Sequence, residues 1–351
     1  MTLIKYYLCL ISFLRDTPLK ECKYFKESLI AQTQIYTFYL NIKYFQTKHY
    51  RHSTFKKDLV LNLKNVFIPY TYIKFSYFVL NYALLYIFFF IIFPIICMFD
   101  RGLYKQLTDP KDWFTFWRIN SIVNYHNWLK VSKVKQNQYE NEDKYIFYKN
   151  CCSNEIPTIP LIENDSIIVK HKNREGGLSL FKFSNAVDNG NWIIQEKLEN
   201  NSNLKPLLFK NSPLSTYRVI TNNNGKVLSC VLRVGLNNAK TDHKSLLYPI
   251  SLKNKKFKKS FSNHIWYNYE NSNVKHNIYN KDVNNLQEIL DLAKKSHSKL
   301  LPDIPLAGWD IAYTEKYGLV VVEVNISCNF FCGIFDKTKY FKHVYDVLTD
   351  K

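Results

Sequence analysis

Residues 308–325, GWDIAYTEKYGLVVVEVN, alternate apolar and polar positions in two runs around a polar centre, and this predicts a β-hairpin. With a four-residue turn at 315–318, Thr314 faces Leu319 and Asp310 lies opposite Glu323. Asn325 then shares the face of Glu323, while Ile311, Tyr313, Val320, Val322 and Val324 fill the other face as core. Upstream, SIIVKHKNREGGLSLFKF predicts two strands joined by a loop holding Gly176 and Gly177, with Lys170 ending the first strand. NWIIQEKLENN predicts an apolar strand from Trp192 to Gln195 that opens into Glu196, Lys197 and Leu198. STYRVITNNNGKVLSCVLRVG predicts a second hairpin with its turn at 222–225. Thr221 then faces Lys226, Arg218 lies opposite Ser229, and Arg233 sits near the same sheet end without facing Arg218. Residues 284–299 predict an amphipathic helix whose stripe is Leu286, Ile289, Leu290 and Ala293. Residues 251–282, rich in Lys and Asn, read as a long loop.

The N-terminal part has a different pattern. Residues 76–99, SYFVLNYALLYIFFFIIFPIICMF, carry no charge and are about long enough to cross a ~30 Å hydrocarbon core. They are expected to associate with a membrane as a transmembrane helix. A buried hairpin or a membrane-surface helix is the alternative. Lysines and arginines flank the run on both sides, so they do not set an orientation. Residues 1–75 predict a basic, helical, membrane-proximal region. Residues 100–139 predict an amphipathic helical connector, and the polar run KQNQYENED at 135–143 marks its boundary. The fourth segment, 140–351, holds the predicted strands.

Charge and cysteine content change this picture little. The formal net charge is +19, but lysine and asparagine are abundant throughout the chain. We read the charge as a general compositional drift, and no nucleic-acid-binding motif accompanies it. Nucleic acid is not an expected partner. The eight cysteines form no CxxC pair, which argues against a zinc site and for reduced structural thiols.

The candidate chemistry lies in the strands. Two carboxylates directly opposed on one sheet face repel each other, and a hard divalent cation can compensate them. A solvated polar face is the plainer reading of Asp310 and Glu323. Glycines let loop amides approach phosphate oxygens closely, although most such loops are ordinary turns. Arg218 and Arg233 either bind phosphate as planar forks or pair with a carboxylate.

The order of these elements resembles the ATP-grasp superfamily. Asp310, Glu323 and Asn325 have the D-x₁₂-E-x-N spacing of its magnesium triad, and KHKNREGG resembles the phosphate loop of D-alanine–D-alanine ligases. More closely, WIIQEKL, STYRVIT, VLRVG and GWDIAYT…GLVVVEVN resemble the sugar-transfer-associated ATP-grasp family, related to α-L-glutamate ligases. The resemblance implies an α+β ATP-grasp fold, two α+β subdomains clasping ATP, over residues 140–351. It implies that Lys144 and Lys170, with Gly176 and Gly177, contact nucleotide phosphates. Glu196, Lys197 and Leu198 would frame the adenine, and Asp310, Glu323 and Asn325 would hold Mg²⁺. Arg218, with Arg233 as the fallback, would face phosphate or acyl-phosphate oxygens. The implied activity is ATP- and Mg²⁺-dependent ligation of a carboxylate to an amine or a glycan-linked acceptor, in envelope or surface-glycan synthesis. The catalytic domain would face the cytoplasm. A phosphotransferase or a nucleotide-binding membrane scaffold without catalysis are the alternatives. Two segments depart from the family pattern: GLNNAKTDHKSLLYPISL after the LRVG strand, and ISCNFFCGIF after EVN. Both fall where acceptor contacts would lie.

Overall fold

The structure, a computed structural model, describes residues 25–58, 109–111, 113–161, 167–171, 180–183, 192–239, 245–262, 270–272 and 278–349. The apolar run 76–99 and the paired Gly176 and Gly177 lie outside the described residues. Among the described residues, no helix is long and apolar enough to cross a membrane.

The chain divides into two compact units, one formed by Met1–Leu129 with Asp336–Lys351, the other by Lys130–Phe335. The sequence-based boundary at 139/140 therefore falls inside the second unit, and the C-terminal helix joins the first. The main helices are α1 (Phe25–Lys43), α2 (Trp113–Lys130), α3 (Lys144–Ser153), α4 (Leu286–Leu300) and α5 (Lys337–Thr349).

In the first unit α1 packs against α5. Helix α2 was expected to be an amphipathic connector. Instead it buries residues all round: Trp113, Phe116, Trp117, Ile119, Ile122 and Val123, together with the polar Arg118, Asn120 and Asn124. Buried polar groups need partners. Asn120 Oδ1 accepts from Tyr340 Oη at 2.7 Å, and Arg118 Nη1 donates to Thr37 Oγ1 at 3.4 Å.

The second unit is α+β and contains two antiparallel sheets. Strands β1 (Ile167–His171), β2 (Leu180–Phe183) and β3 (Trp192–Glu196) form the smaller one, in the order β2-β1-β3. The larger sheet is built from β4 (Thr216–Asn222), β5 (Val227–Gly235), β6 (Ser245–Ser251), β7 (Lys256–Phe257), β8 (Phe261–Ser262), β9 (Glu270–Asn271), β10 (Leu306–Thr314) and β11 (Gly318–Asn325). Its order is β11-β10-β4-β5-β6-β8-β9, with β7 on β6. Three short strands thus occupy the stretch expected to be a loop. Their apolar alternation is too brief to read from sequence.

Helix α4 lies on β4 and β10 through its predicted stripe, with Leu286, Ile289, Leu290 and Ala293 all buried. A buried polar relay fixes its end. The Ile304 carbonyl can only accept, so His297 Nε2 donates to it at 2.9 Å. In the neutral ring Nδ1 then accepts from Thr221 Oγ1 at 2.6 Å, and Thr221 in turn accepts from Trp309 Nε1 at 2.7 Å. His297 is a satisfied core residue that pins α4 to β4 and β10.

Candidate functional site

The β10–β11 hairpin places Asp310 directly opposite Glu323, as expected, but by another route. Thr314 pairs with Gly318, so the turn is one residue shorter. Val322 is then left over as a bulge between the Asp310–Glu323 and Ile311–Val321 pairs. The two irregularities cancel at the carboxylates and do not cancel before them. Val320 pairs with Ala312, two residues from Asp310 and on its face. Val320 and Val322 pack with Ala312, Ile159, Leu198 and Leu214 instead of entering the opposite core face. This corrects the expected placing of both valines.

The arginine hairpin is shifted by two residues. Thr221 pairs with Val227, Leu228 bulges, and Arg218 lies opposite Val231 instead of Ser229. Arg233 consequently faces Thr216, one step diagonal from Arg218 and on the same face. On its other side β4 pairs with β10, with Arg218 opposite Asp310. Arg218 donates through Nε to Asp310 Oδ1 at 2.6 Å and through Nη2 to Oδ2 at 3.1 Å. Arg233 Nη2 donates to the same Oδ2 at 2.9 Å, and Thr216 Oγ1 accepts from Arg233 Nε at 2.9 Å. Of the two readings open in the sequence, this arrangement has both arginines pairing with a carboxylate. The side chains are nearly sealed, at 5% exposure for Arg218, 12% for Arg233 and 1% for Asp310.

Lys144 opens helix α3, whose N-cap Asp143 accepts from the amides of Tyr145 and Ile146. From there its Nζ reaches to 3.4 Å from Glu323 Oε2. Glu142, two residues earlier, accepts from the amides of Ile326 at 2.7 Å and Ser327 at 3.3 Å, fixing the chain where it leaves β11. Burial opposes ionisation of Glu323, but Lys144, Lys170, Arg218 and Arg233 outweigh it and hold the carboxyl well below the usual range. Burial pushes Asp310 up, and Arg218 and Arg233 pull it back.

At the hinge, Leu198 is buried against Ile159, Ala312 and Val320, while Lys197 is exposed. The Glu196 carboxylate is taken by the β10–β11 turn. It accepts from Tyr317 Oη at 2.5 Å and from Lys316 Nζ at 3.0 Å. The predicted hinge residues thus meet the carboxylate hairpin through Leu198 below and Glu196 above.

The segment after β11 covers the arginines. The Phe331 ring sits 4.9 Å from the Arg218 guanidinium carbon and 5.2 Å from that of Arg233. It packs with Val231 and Leu247. Close approach depends on two glycines. A Cβ on Gly308 would lie 2.6 Å from Cys328 Cβ, and one on Gly333 would lie 2.9 Å from Ser229 Cβ. Phe331 and Cys332 are both in the left-handed region, at φ +44° and +58°, where non-glycine residues are uncommon. Asn329 Oδ1 supports the bend by accepting from the Phe331 amide at 2.9 Å. Sequence reasoning missed Glu142 and Phe331. The acidic residues next to Lys144 were the available signal for the first; nothing local marked the second.

Part of the donor set suits a divalent cation. Glu323 and Asn325 fit one: the Asn325 amide lies beside Glu323, its Nδ2 at 3.5 Å from Oε1, and a half-turn of that amide would put two oxygens together. Both oxygens of Asp310 accept from guanidiniums in this arrangement, which offsets its charge without a cation. Among the described residues, no group of three or more His, Cys, Asp or Glu could hold a metal ion.

No curated protein matches the chain. Among solved structures, it is similar to D-alanyl-alanine synthetase A from Vibrio cholerae O1 biovar eltor at 11% identity, over 61% of this chain and 66% of that one, with TM-score 0.36. It is similar to D-alanine–D-alanine ligase from Bacillus anthracis complexed with ATP at 12% identity, over 60% and 66%, with TM-score 0.33. It is also similar to N5-carboxyaminoimidazole ribonucleotide synthetase from Thermotoga maritima at 11% identity, over 53% and 42%, with TM-score 0.31. The chain spans less than two thirds of the length of each. A family model described as sugar-transfer associated ATP-grasp matches residues 158–338, more than half of the chain, and the chain therefore belongs to that ATP-grasp family.

Proposed function

We propose that the chain is an ATP- and Mg²⁺-dependent ligase that activates a carboxylate as an acyl phosphate and passes the acyl group to an amine or similar nucleophile. One observation carries this reading. Lys144, Lys170, Arg218 and Arg233 all favour the ionised form of Glu323, and Arg218 and Arg233 also hydrogen-bond Asp310, so four cations serve two carboxylates. The excess of positive charge suits a bound nucleotide triphosphate with its metal. In the reaction a substrate carboxylate oxygen attacks the γ-phosphorus and ADP leaves. The nucleophile then attacks the acyl carbon, loses its proton, and phosphate leaves. Lys144 and Lys170 would neutralise phosphate oxygens, and Leu198 with its apolar neighbours would floor the base. Glu323 and Asn325 would hold Mg²⁺, which supplies charge stabilisation at the phosphates when bound. Arg218 and Arg233 would act from beneath, holding Asp310.

Lys144→Met is expected to weaken binding of a non-hydrolysable ATP analogue about tenfold or more, since a charge-assisted contact is worth roughly 1.5–3 kcal/mol. Calorimetry measures it. A loss below about threefold would leave Lys144 as a partner of Glu323 alone.

The capped arginines favour a second reading, nucleotide binding without turnover. Release of ADP in a screen of carboxylates, amines and sugars separates the two. We further place the protein at a membrane through residues 76–99, with the catalytic domain on the cytoplasmic side, where ATP is available, and with envelope or surface-glycan synthesis as its setting. Carbonate extraction is expected to leave the full chain in the pellet, and release into the soluble fraction would contradict this.

A further inference from the structure

The described residues contain a second concentration of charge, in the stretch that follows β6. Strand β6 turns at 252–255 into β7, and the chain at 278–283 returns beside β7. Phe257 donates its amide to the Lys281 carbonyl at 3.0 Å and accepts from the Asn280 amide at 2.9 Å. Three residues anchor the patch: Phe257, Ile278 and Val283 are buried. Side chains alternate along a strand, so burying Phe257 turns its neighbours Lys256 and Lys258 away from the core. Lys253, Lys255, Lys259 and Lys281 are exposed. Among the described side chains, six lysines thus share this small surface with Asp282, whose carboxylate is 3.9 Å from Lys256. Tyr279 stands among them, 51% exposed. Six like charges fixed on a tightly hydrogen-bonded hairpin repel one another, and an anionic surface relieves that repulsion.

We propose that the β6–β7 hairpin and the 278–283 segment form a docking surface for an anionic phospholipid bilayer. Several features favour a bilayer over a nucleic acid. The patch is about three strands, or ~10 Å, wide, which reaches few phosphates along a duplex. Its cations are all lysines, whose compact ammonium groups suit a fluid layer of headgroups better than the planar readout that arginine gives. Lysine stems and a half-exposed tyrosine match the graded polarity of a headgroup layer. The same chain also carries the uncharged run 76–99. The proposal is independent of the ligase reading and needs no nucleotide.

Lysine acetylation footprinting on the full chain tests it. The chain is placed with bilayers of phosphatidylcholine alone or with added phosphatidylglycerol, labelled briefly, and read by mass spectrometry. Lys253, Lys255, Lys258 and Lys259 are expected to be at least fivefold less reactive with the anionic lipid, while Lys294 and Lys299 on α4 keep their reactivity. The readout is local, so it works whether or not another segment anchors the chain. Tyr279→Ser is expected to reduce the protection. Equal reactivity in the two bilayers overturns the proposal. Protection by a single-stranded RNA and not by the anionic bilayer also overturns it, in favour of a nucleic-acid surface.

Discussion

Asp310→Asn is expected to destabilise the protein by about 3–5 kcal/mol, the typical cost of breaking a buried ion pair from one side. Asp310 is the shared partner of Arg218 and Arg233, and all three side chains are nearly sealed from water. Asparagine keeps the volume but removes the charge. Two guanidiniums would then stay buried beside each other without the carboxylate that both of them bond. The cost comes from the stranded cations more than from the lost attraction. Replacing all three by apolar residues of similar size, Arg218→Met, Arg233→Met and Asp310→Leu, should therefore recover much of the loss. Urea unfolding of the full chain measures both variants. A shift below about 1 kcal/mol for Asp310→Asn would mean that water reaches the triad. A triple variant as unstable as the single one would mean that packing, and not charge, sets the cost.

Glu323→Gln is expected to lower the apparent affinity for Mg²⁺ in the presence of ATP by roughly 10²-fold, taking the upper end of what is lost when a group supporting a metal ligand is removed. Glu323 is held ionised by the surrounding cations, and Asn325 lies beside it. Glutamine has nearly the same shape but offers a weaker, neutral oxygen. The measurement is the Mg²⁺ dependence of ATP-analogue binding by calorimetry, which needs no knowledge of the acceptor. Circular dichroism alongside confirms that the fold is retained. Superimposable Mg²⁺ titrations for the two proteins would remove Glu323 from the metal site. Because Glu323 is more exposed than Asp310, the two substitutions should separate: one reads out in stability, the other in metal dependence.

The sequence carried the site as a pattern and missed how its parts lock together. Helix α4 was legible because its stripe has the helical period and its buried residues are the predicted ones. The Asp310–Glu323 pair was legible because the hairpin is local. Its register came out right only because a shorter turn and the Val322 bulge compensate. In the β4–β5 hairpin a wider turn and the Leu228 bulge add instead of cancelling, so Arg233 landed two residues away from where counting put it. Bulges leave no strong mark in a single sequence, since the displaced residue is an ordinary valine or leucine. The contacts of Phe331 with the arginines and of Glu142 with the end of β11 join distant parts of the chain. No periodicity encodes such contacts. What could be read was the unusual composition of the segment after Asn325, without its destination.

The strand order also bears on how the chain is made. On the ribosome β4 and β5 emerge first, and β10, which pairs with β4 and then takes β11 on its other edge, follows only after residues 236–305. Until then one edge of β4 is open, and an open edge in a nascent chain invites pairing with a neighbouring chain. Arg218 faces Asp310 across that edge. Before β10 arrives, the same arginine is an unpaired charge on a waiting strand, which discourages docking by another apolar strand. The residue that becomes half of a buried ion pair in the finished protein is thus, until its own aspartate is translated, a charge on an open strand.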